Sequence, residues 1–220
     1  MELLNVLKAQ SVWLFDANDL NPRGKHIFPD LIEWLKDRYE FQQAPKSPDD
    51  LDETKGLAFK QGSFPLGKDL VTVEATIYTD GLIANTWSST RATDLFLEDA
   101  LSNAAKEFDL KYPASLVRSK THLSELTIRM DGSLSKLNPK LESFADRLSR
   151  VHGHKGATPF EVGGISFWSD VSSVALKFAP FALERKANTP FSENRYYSKA
   201  PLHTDEHVEL LGDFERIMIE

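Results

Sequence analysis

Apolar and polar residues alternate most clearly between positions 69 and 79. The apolar residues of this segment are Val71, Val73, Ala75 and Ile77, and the residues between them are mostly polar. A period of two predicts a strand with one buried and one solvent-facing side. The Asp80-Gly81 dipeptide that follows is typical of a tight hairpin turn, so we expect an antiparallel return strand over residues 82–87.

Five further segments have the aromatic and β-branched content of strands. They are residues 11–16, 57–64, 123–130, 160–168 and 175–186. The sequence therefore predicts six to seven strands in total.

Apolar residues at helical spacing predict four helices. The first covers residues 27–39, and the second follows the capping cluster Ser88-Ser89-Thr90 and continues to Phe108. The third begins after Asn138-Pro139, where an N-cap residue precedes a proline in the first turn. The fourth begins near Thr204 and has Val208, Leu211, Phe214 and Ile217 on one face.

The predicted elements include hairpins and no sustained strand–helix–strand alternation. This order favours an α+β fold with a mixed or mainly antiparallel sheet of about six to seven strands, covered by about four helices. We find no repeat at a fixed period and expect residues 1–220 to form a single domain. Residues 43–55 are rich in proline and acidic side chains and are expected to form an exposed loop.

Composition excludes several classes of site. The 220 residues include no cysteine, which removes thiolate nucleophiles, cysteine-ligated zinc and iron–sulfur clusters. No glycine-rich dinucleotide or phosphate-binding motif is present, so we predict no cofactor. The chain has no apolar run of membrane-spanning length and does not begin with a secretory signal. We therefore expect a soluble, cytoplasmic protein without membrane contact.

Charge is unevenly distributed along this acidic chain, whose formal charge is −7. Residues 111–155 hold nine lysines or arginines against four acids, whereas residues 203–220 hold one against six. Opposite patches of this kind favour a protein partner or head-to-tail self-association. The overall acidity makes nucleic acid an unfavourable partner, although the basic region 111–155 leaves a local contact open.

Two carboxylates follow the first predicted strand. Asp16 and Asp19 stand where divalent metals for phosphoryl chemistry are commonly held, at the end of a strand. The same residues are ordinary turn formers, since aspartate side chains bond to their own backbone. Both interpretations stay open at the level of sequence.

The segment from His203 to His207 matches the H-x-x-E-H pattern of zinc peptidases, with Glu206 as the base. If both histidines were on one helix, they could hold zinc. Thr204, however, is well placed to cap the predicted helix, which would leave His203 outside it. We favour the capped helix over the metal site.

Two functional hypotheses follow from these observations. No motif for a serine nucleophile is present, and the predicted elements account for most residues without a catalytic set. The first hypothesis is a non-catalytic cytoplasmic binding module or a subunit of a larger protein assembly. The alternative is a metal-dependent hydrolase or nuclease that uses Asp16 and Asp19.

Overall fold

The computed structural model describes residues 1–24, 27–46, 55–152, 159–170 and 178–219. These residues contain eight strands, five α-helices and two 3₁₀ turns. The strands are β1 (Glu2–Leu14), β2 (Leu57–Leu66), β3 (Asp69–Tyr78), β4 (Gly81–Thr86), β5 (Ser119–Arg129), β6 (Gly164–Phe167), β7 (Phe181–Arg185) and β8 (Arg195–Ala200). The helices are α1 (Ala17–Leu20), α2 (Phe28–Arg38), α3 (Thr90–Glu107), α4 (Pro139–His152) and α5 (Thr204–Ile219), and the 3₁₀ turns are Leu134–Leu137 and Phe191–Glu193.

The predicted α+β class is confirmed. The described residues contain eight strands and five α-helices, slightly more than the six to seven strands and about four helices predicted. The prediction lacked the single-turn helix α1 and the strand β8. It also began β1 at residue 11 instead of Glu2, because the strand shows no alternation at its start, where residues 2–5 are all exposed. Part of the predicted strand 175–186 lies outside the described residues.

The strands form one sheet in the order β2-β3-β4-β1-β5-β8-β7-β6. The pairs β1–β4, β2–β3, β3–β4, β6–β7 and β7–β8 are antiparallel. The predicted hairpin between β3 and β4 is confirmed, with Tyr78 paired to Gly81. Its two central residues are therefore Thr79 and Asp80, one position earlier than the sequence suggested.

The order of elements occurs twice along the chain. The series β1, α2, β2, β3, β4, α3 has the same order of strands and helices as β5, α4, β6, β7, β8, α5. The sheet order reflects this, because β2-β3-β4-β1 read from one edge matches β6-β7-β8-β5 read from the other. The repeat lies in the topology, which explains why a search for a fixed sequence period misses it.

The chain divides into two compact units. The N-terminal unit comprises residues 8–124 and 202–204, and the C-terminal unit comprises residues 1–7, 125–201 and 205–220. Strand β1 contributes residues to both units, and so does β5.

The core of the N-terminal unit is rich in aromatic side chains from β1, β2, α3 and the segment that follows α2. Its largest buried members are Trp13, Phe15, Tyr39, Phe41, Phe59, Phe64 and Phe96. Tyr39 and Phe96 meet edge to face with ring centroids 4.9 Å apart, a favourable geometry for aromatic pairs. Helix α2 contributes Leu35 to this core, so its apolar stripe is covered.

Among the described residues, the core of the C-terminal unit is smaller. Its buried apolar members are Leu126, Ile128, Met130, Leu134, Leu183, Tyr196, Leu211 and Met218. The hydroxyl group of Tyr196 accepts a hydrogen bond from the backbone N–H of Leu134 at 3.2 Å. Helix α4 contributes no member to this core and has no buried residue.

Only the two ends of the predicted loop 43–55 can be compared with the structure, because residues 47–54 lie outside the described part. At its start, Gln43 forms an isolated antiparallel bridge with Lys60 of β2. The loop is thus attached to the sheet at Gln43. Within the described part of the chain, no helix has both the length and the apolar character required to cross a membrane.

Candidate functional site

Three potential metal ligands converge in the N-terminal unit. Asp94 lies in the second turn of α3, His122 is in β5, and His203 directly precedes α5. Each offers one ligand atom, and the three atoms lie within 4.8 Å of one another. This is the one group of three such residues found among the described ranges.

The local sequence accounts for the position of Asp94. Helix α3 begins after Ser89, whose side chain accepts the N–H of Ala92 as an N-cap. The apolar face of α3 buries Phe96 and Leu97 in the core. Asp94 precedes these two residues and turns toward β1, where the indole N–H of Trp13 donates to Asp94 Oδ1 at 2.9 Å.

Asp94 and His122 form the closest pair in the cluster. His122 Nε2 lies 3.0 Å from Asp94 Oδ2 and 3.2 Å from Oδ1. Burial raises the pKa of Asp94, but hydrogen bonds from His122, Ser11 and Trp13 outweigh burial and hold the pKa below its ordinary value. Asp94 is therefore a carboxylate at neutral pH and a ready acceptor for a cation.

His203 is oriented by Thr90, the first residue of α3. Its Nδ1 atom lies 3.2 Å from Thr90 Oγ1, which itself accepts the backbone N–H of Thr204 at 2.9 Å. The ring of His203 stacks on that of His122, with centroids 3.6 Å apart and planes inclined by 32°. Two imidazoles are thus held together beside one carboxylate.

A cation also lies near this cluster. Lys120, two residues before His122 on β5, places its ammonium group 3.5 Å from the centroid of the Trp13 ring. Ammonium groups are attracted to the face of an indole. The ring therefore contacts Lys120 through its face while its N–H holds Asp94.

Asp16 and Asp19, the two carboxylates of the alternative metal hypothesis, each have a contact within the protein. Asp16 is the N-cap of α1, with its side chain accepting the N–H of Asn18 at 2.8 Å. Asp19 forms an ion pair with Arg118 at 2.7 Å, and both side chains are largely exposed. These contacts correspond to the turn-forming interpretation of the sequence.

His203 and His207 have different surroundings. His203 belongs to the N-terminal unit and His207 to the C-terminal unit. His207 is fully buried, and its Nε2 lies 2.8 Å from Ser198 Oγ. Because Ser198 donates its hydroxyl proton to the carbonyl of Ala182, it accepts from His207. Burial lowers the pKa of His207 to about 4.

Thr204 begins α5, as predicted. Its hydroxyl group accepts the backbone N–H of Thr90 in another helix, at 3.0 Å. The hydroxyl group of Thr204, which the sequence suggested as a cap of its own helix, therefore links the first residue of α5 to the first residue of α3. This contact fixes His203, the residue before it, next to α3.

The second distinctive feature is the apolar face of α4 in the C-terminal unit. It consists of Leu141, Phe144, Leu148 and Val151, which are 44%, 65%, 40% and 77% exposed. Helix α5 of the same unit exposes two apolar residues, Leu210 and Ile217, beside the acids Glu206, Glu209 and Asp213. Thus α4 presents apolar side chains in the predicted basic region, and α5 presents them in the acidic one.

Sequence reasoning found one member of the polar cluster, His203, and missed Asp94 and His122. These three residues are separated by 28 and 81 positions along the chain, so no local spacing connects them. The only local sign of a ligand was His122, a histidine at a polar position in the alternating pattern of β5. A polar residue is equally expected there in any strand that has one side facing solvent.

Comparison with protein-family models and with curated proteins gives no match to this chain.

Proposed function

We propose that the chain is a non-catalytic cytoplasmic binding module that acts as a subunit of a protein assembly, and that the partner is a second copy of itself. The observation that carries this proposal is the uncovered apolar face of α4. Helix α2, which occupies the matching place in the repeated order of elements, has its apolar side packed in a core. Helix α4 has none of its residues buried.

The spacing of the apolar residues on α4 favours another helix as the partner. Leu141, Phe144, Leu148 and Val151 follow one another at intervals of three, four and three residues. These are the intervals of the a and d positions of a coiled-coil seam. A surface of this kind is best covered by an amphipathic helix that lies along it.

The distribution of charge favours helix α5 of a second copy as the helix that covers α4. Lys140 and Arg147 flank the apolar face of α4, so two α4 helices in contact would bring like charges together. Exposed Leu210 and Ile217 on α5 are accompanied by acids, which would attract these basic residues. A contact between two different surfaces is heterologous and can continue from copy to copy.

The molar mass of the chain in solution, measured by light scattering as a function of protein concentration, tests this proposal. We expect the mass to rise with concentration and to fall at high salt, because salt screens attraction between exposed charges. Phe144→Ser and Ile217→Ser should each weaken association. Leu70→Ser is the matched control, since Leu70 is 68% exposed on β3 and lies in the other unit.

Charge reversal makes the test specific for the two helices. Arg147→Glu and Glu209→Lys should each weaken association, and the double variant should recover part of it. A chain that stays monomeric at every concentration would contradict self-association. If Phe144→Ser weakened association and Ile217→Ser did not, the contact between α4 and α5 would be wrong.

A further inference from the structure

We infer that Asp94, His122 and His203 bind one divalent transition metal ion, and that zinc fits their donor set best. This site is independent of the assembly proposed above, because all three residues belong to the N-terminal unit and none lies on α4 or α5. It also differs from the two metal sites suggested by the sequence, which were the Asp16/Asp19 pair and the His203/His207 pair.

The chemistry of the donors selects the class of metal. Two imidazole nitrogens and one carboxylate oxygen are a common set for zinc, whereas calcium and magnesium prefer oxygen alone. Iron–sulfur clusters and thiolate zinc sites need cysteine, which this chain lacks. A borderline-soft ion such as Zn²⁺ is therefore the best match.

The separation between donors agrees with a shared ion. Zinc bonds to nitrogen and oxygen are about 2.0–2.2 Å long, so two donors at a tetrahedral angle are about 3.4 Å apart. His122 Nε2 is 3.0 and 3.2 Å from the two oxygens of Asp94. Entry of the ion would displace the proton that joins His122 Nε2 to Asp94, and it would shift this pair by only a few tenths of an ångström.

Neighbouring groups orient the ligands as the outer shell of a metal site does. Trp13 holds Asp94 Oδ1 through its indole N–H, and Thr90 contacts His203 Nδ1. In the tautomer that donates from Nδ1 to Thr90, the Nε2 atom of His203 has a free lone pair for metal. Such partners fix ring orientation and tautomer in known sites.

The stacking of the two imidazoles defines what must change when metal binds. Lone pairs lie in the plane of each ring, and the rings of His122 and His203 are inclined by only 32°. The two lone pairs therefore lie in nearly parallel planes that are offset by the stacking distance of 3.6 Å, and one ring must rotate before both can meet one ion. We expect metal binding to separate the stacked rings. With three protein ligands, a tetrahedral zinc ion keeps one position for water or another ligand.

Titration of the full chain with Zn²⁺, after treatment with a chelator, measures stoichiometry and affinity. We expect one ion per chain and a loss of affinity of at least about 100-fold in Asp94→Asn, His122→Gln and His203→Gln, because each removes a direct ligand. His152→Gln is the matched control, since this imidazole is exposed on α4. Circular dichroism of every variant shows whether it folds.

Imidazole ¹⁵N spectra of the wild-type chain give a second readout that does not depend on variants. Zinc should shift the resonances of two of the six histidines, and these should be the ones missing from His122→Gln and His203→Gln. Loss of zinc in His207→Gln with full folding would favour the sequence-predicted pair and overturn our assignment. Absence of stoichiometric zinc binding by the wild-type chain would overturn the site itself.

Discussion

Thr90 and Thr204 exchange hydrogen bonds between the first residues of two helices. The backbone N–H of Thr90 donates to Thr204 Oγ1 at 3.0 Å, and the backbone N–H of Thr204 donates to Thr90 Oγ1 at 2.9 Å. Both residues are buried. The first N–H groups of a helix have no partner inside it, so each hydroxyl group satisfies a donor that burial would otherwise leave unpaired.

The reciprocal bonds predict a stability difference between two small substitutions. Thr204→Ala removes the acceptor of the buried Thr90 N–H and should lower the free energy of unfolding by about 1–3 kcal/mol. Thr204→Ser keeps the hydroxyl group and should retain most of the stability. Urea denaturation measures both, and equal stability of Thr204→Ala and the wild type would contradict the proposed role of the hydroxyl group.

The buried imidazole of His207 predicts a loss of stability in mild acid. Its pKa is about 4 in the folded chain, against an ordinary value of about 6.5. Above pH 6.5 the ring is neutral in both states. Between pH 6.5 and 4 the unfolded chain binds a proton that the folded chain does not, so stability falls with pH, by up to about 3 kcal/mol in total.

Comparison with His207→Gln isolates this contribution from that of the carboxylates. The difference in unfolding free energy between the two proteins, measured by denaturation at several pH values, should change between pH 6.5 and 4 and stay constant above pH 7. A difference that is independent of pH would mean that His207 titrates alike in both states.

Local patterns predicted those elements that one segment specifies by itself. The strand β3 that alternation predicted and the cap Ser89 before α3 are both present in the structure. Strand β8 was missed because its buried positions, Tyr196, Ser198 and Ala200, are not a uniformly apolar set. The polar cluster was missed for another reason, since Asp94 and His122 approach only after β5 joins the sheet beside β1.

The register of β3 can be tested at two positions on opposite faces. Ile77 packs against the aromatic core, whereas Thr72 is exposed. Ile77→Asp should therefore destabilise the chain by several kcal/mol, because it places an unpaired carboxylate against apolar side chains. Thr72→Asp should change stability much less. Similar melting temperatures for the two variants would show that the assigned faces are wrong.

Arg185 of β7 holds several parts of the C-terminal unit together. Its side chain is only 7% exposed, and its Nη2 atom contacts both Glu161 and Ser133 Oγ. Nη1 donates to the carbonyl of Phe191 at 3.1 Å, and the guanidinium carbon lies 4.2 Å from the centroid of that ring. One planar group thus serves three acceptors and an aromatic face.

This geometry predicts that lysine cannot replace Arg185, although the charge is the same. A single ammonium group cannot reach all these partners or stack on the ring in the same way, so Arg185→Lys should cost about 1–3 kcal/mol of unfolding free energy.

Arg195→Lys on the adjacent strand is the matched control, because Arg195 forms an exposed ion pair with Glu193. Exposed pairs contribute little, and this variant should stay within about 0.5 kcal/mol of the wild type. If both substitutions had equally small effects in urea denaturation, Arg185 would act as a simple surface charge, and the observed contacts would contribute no specific stability.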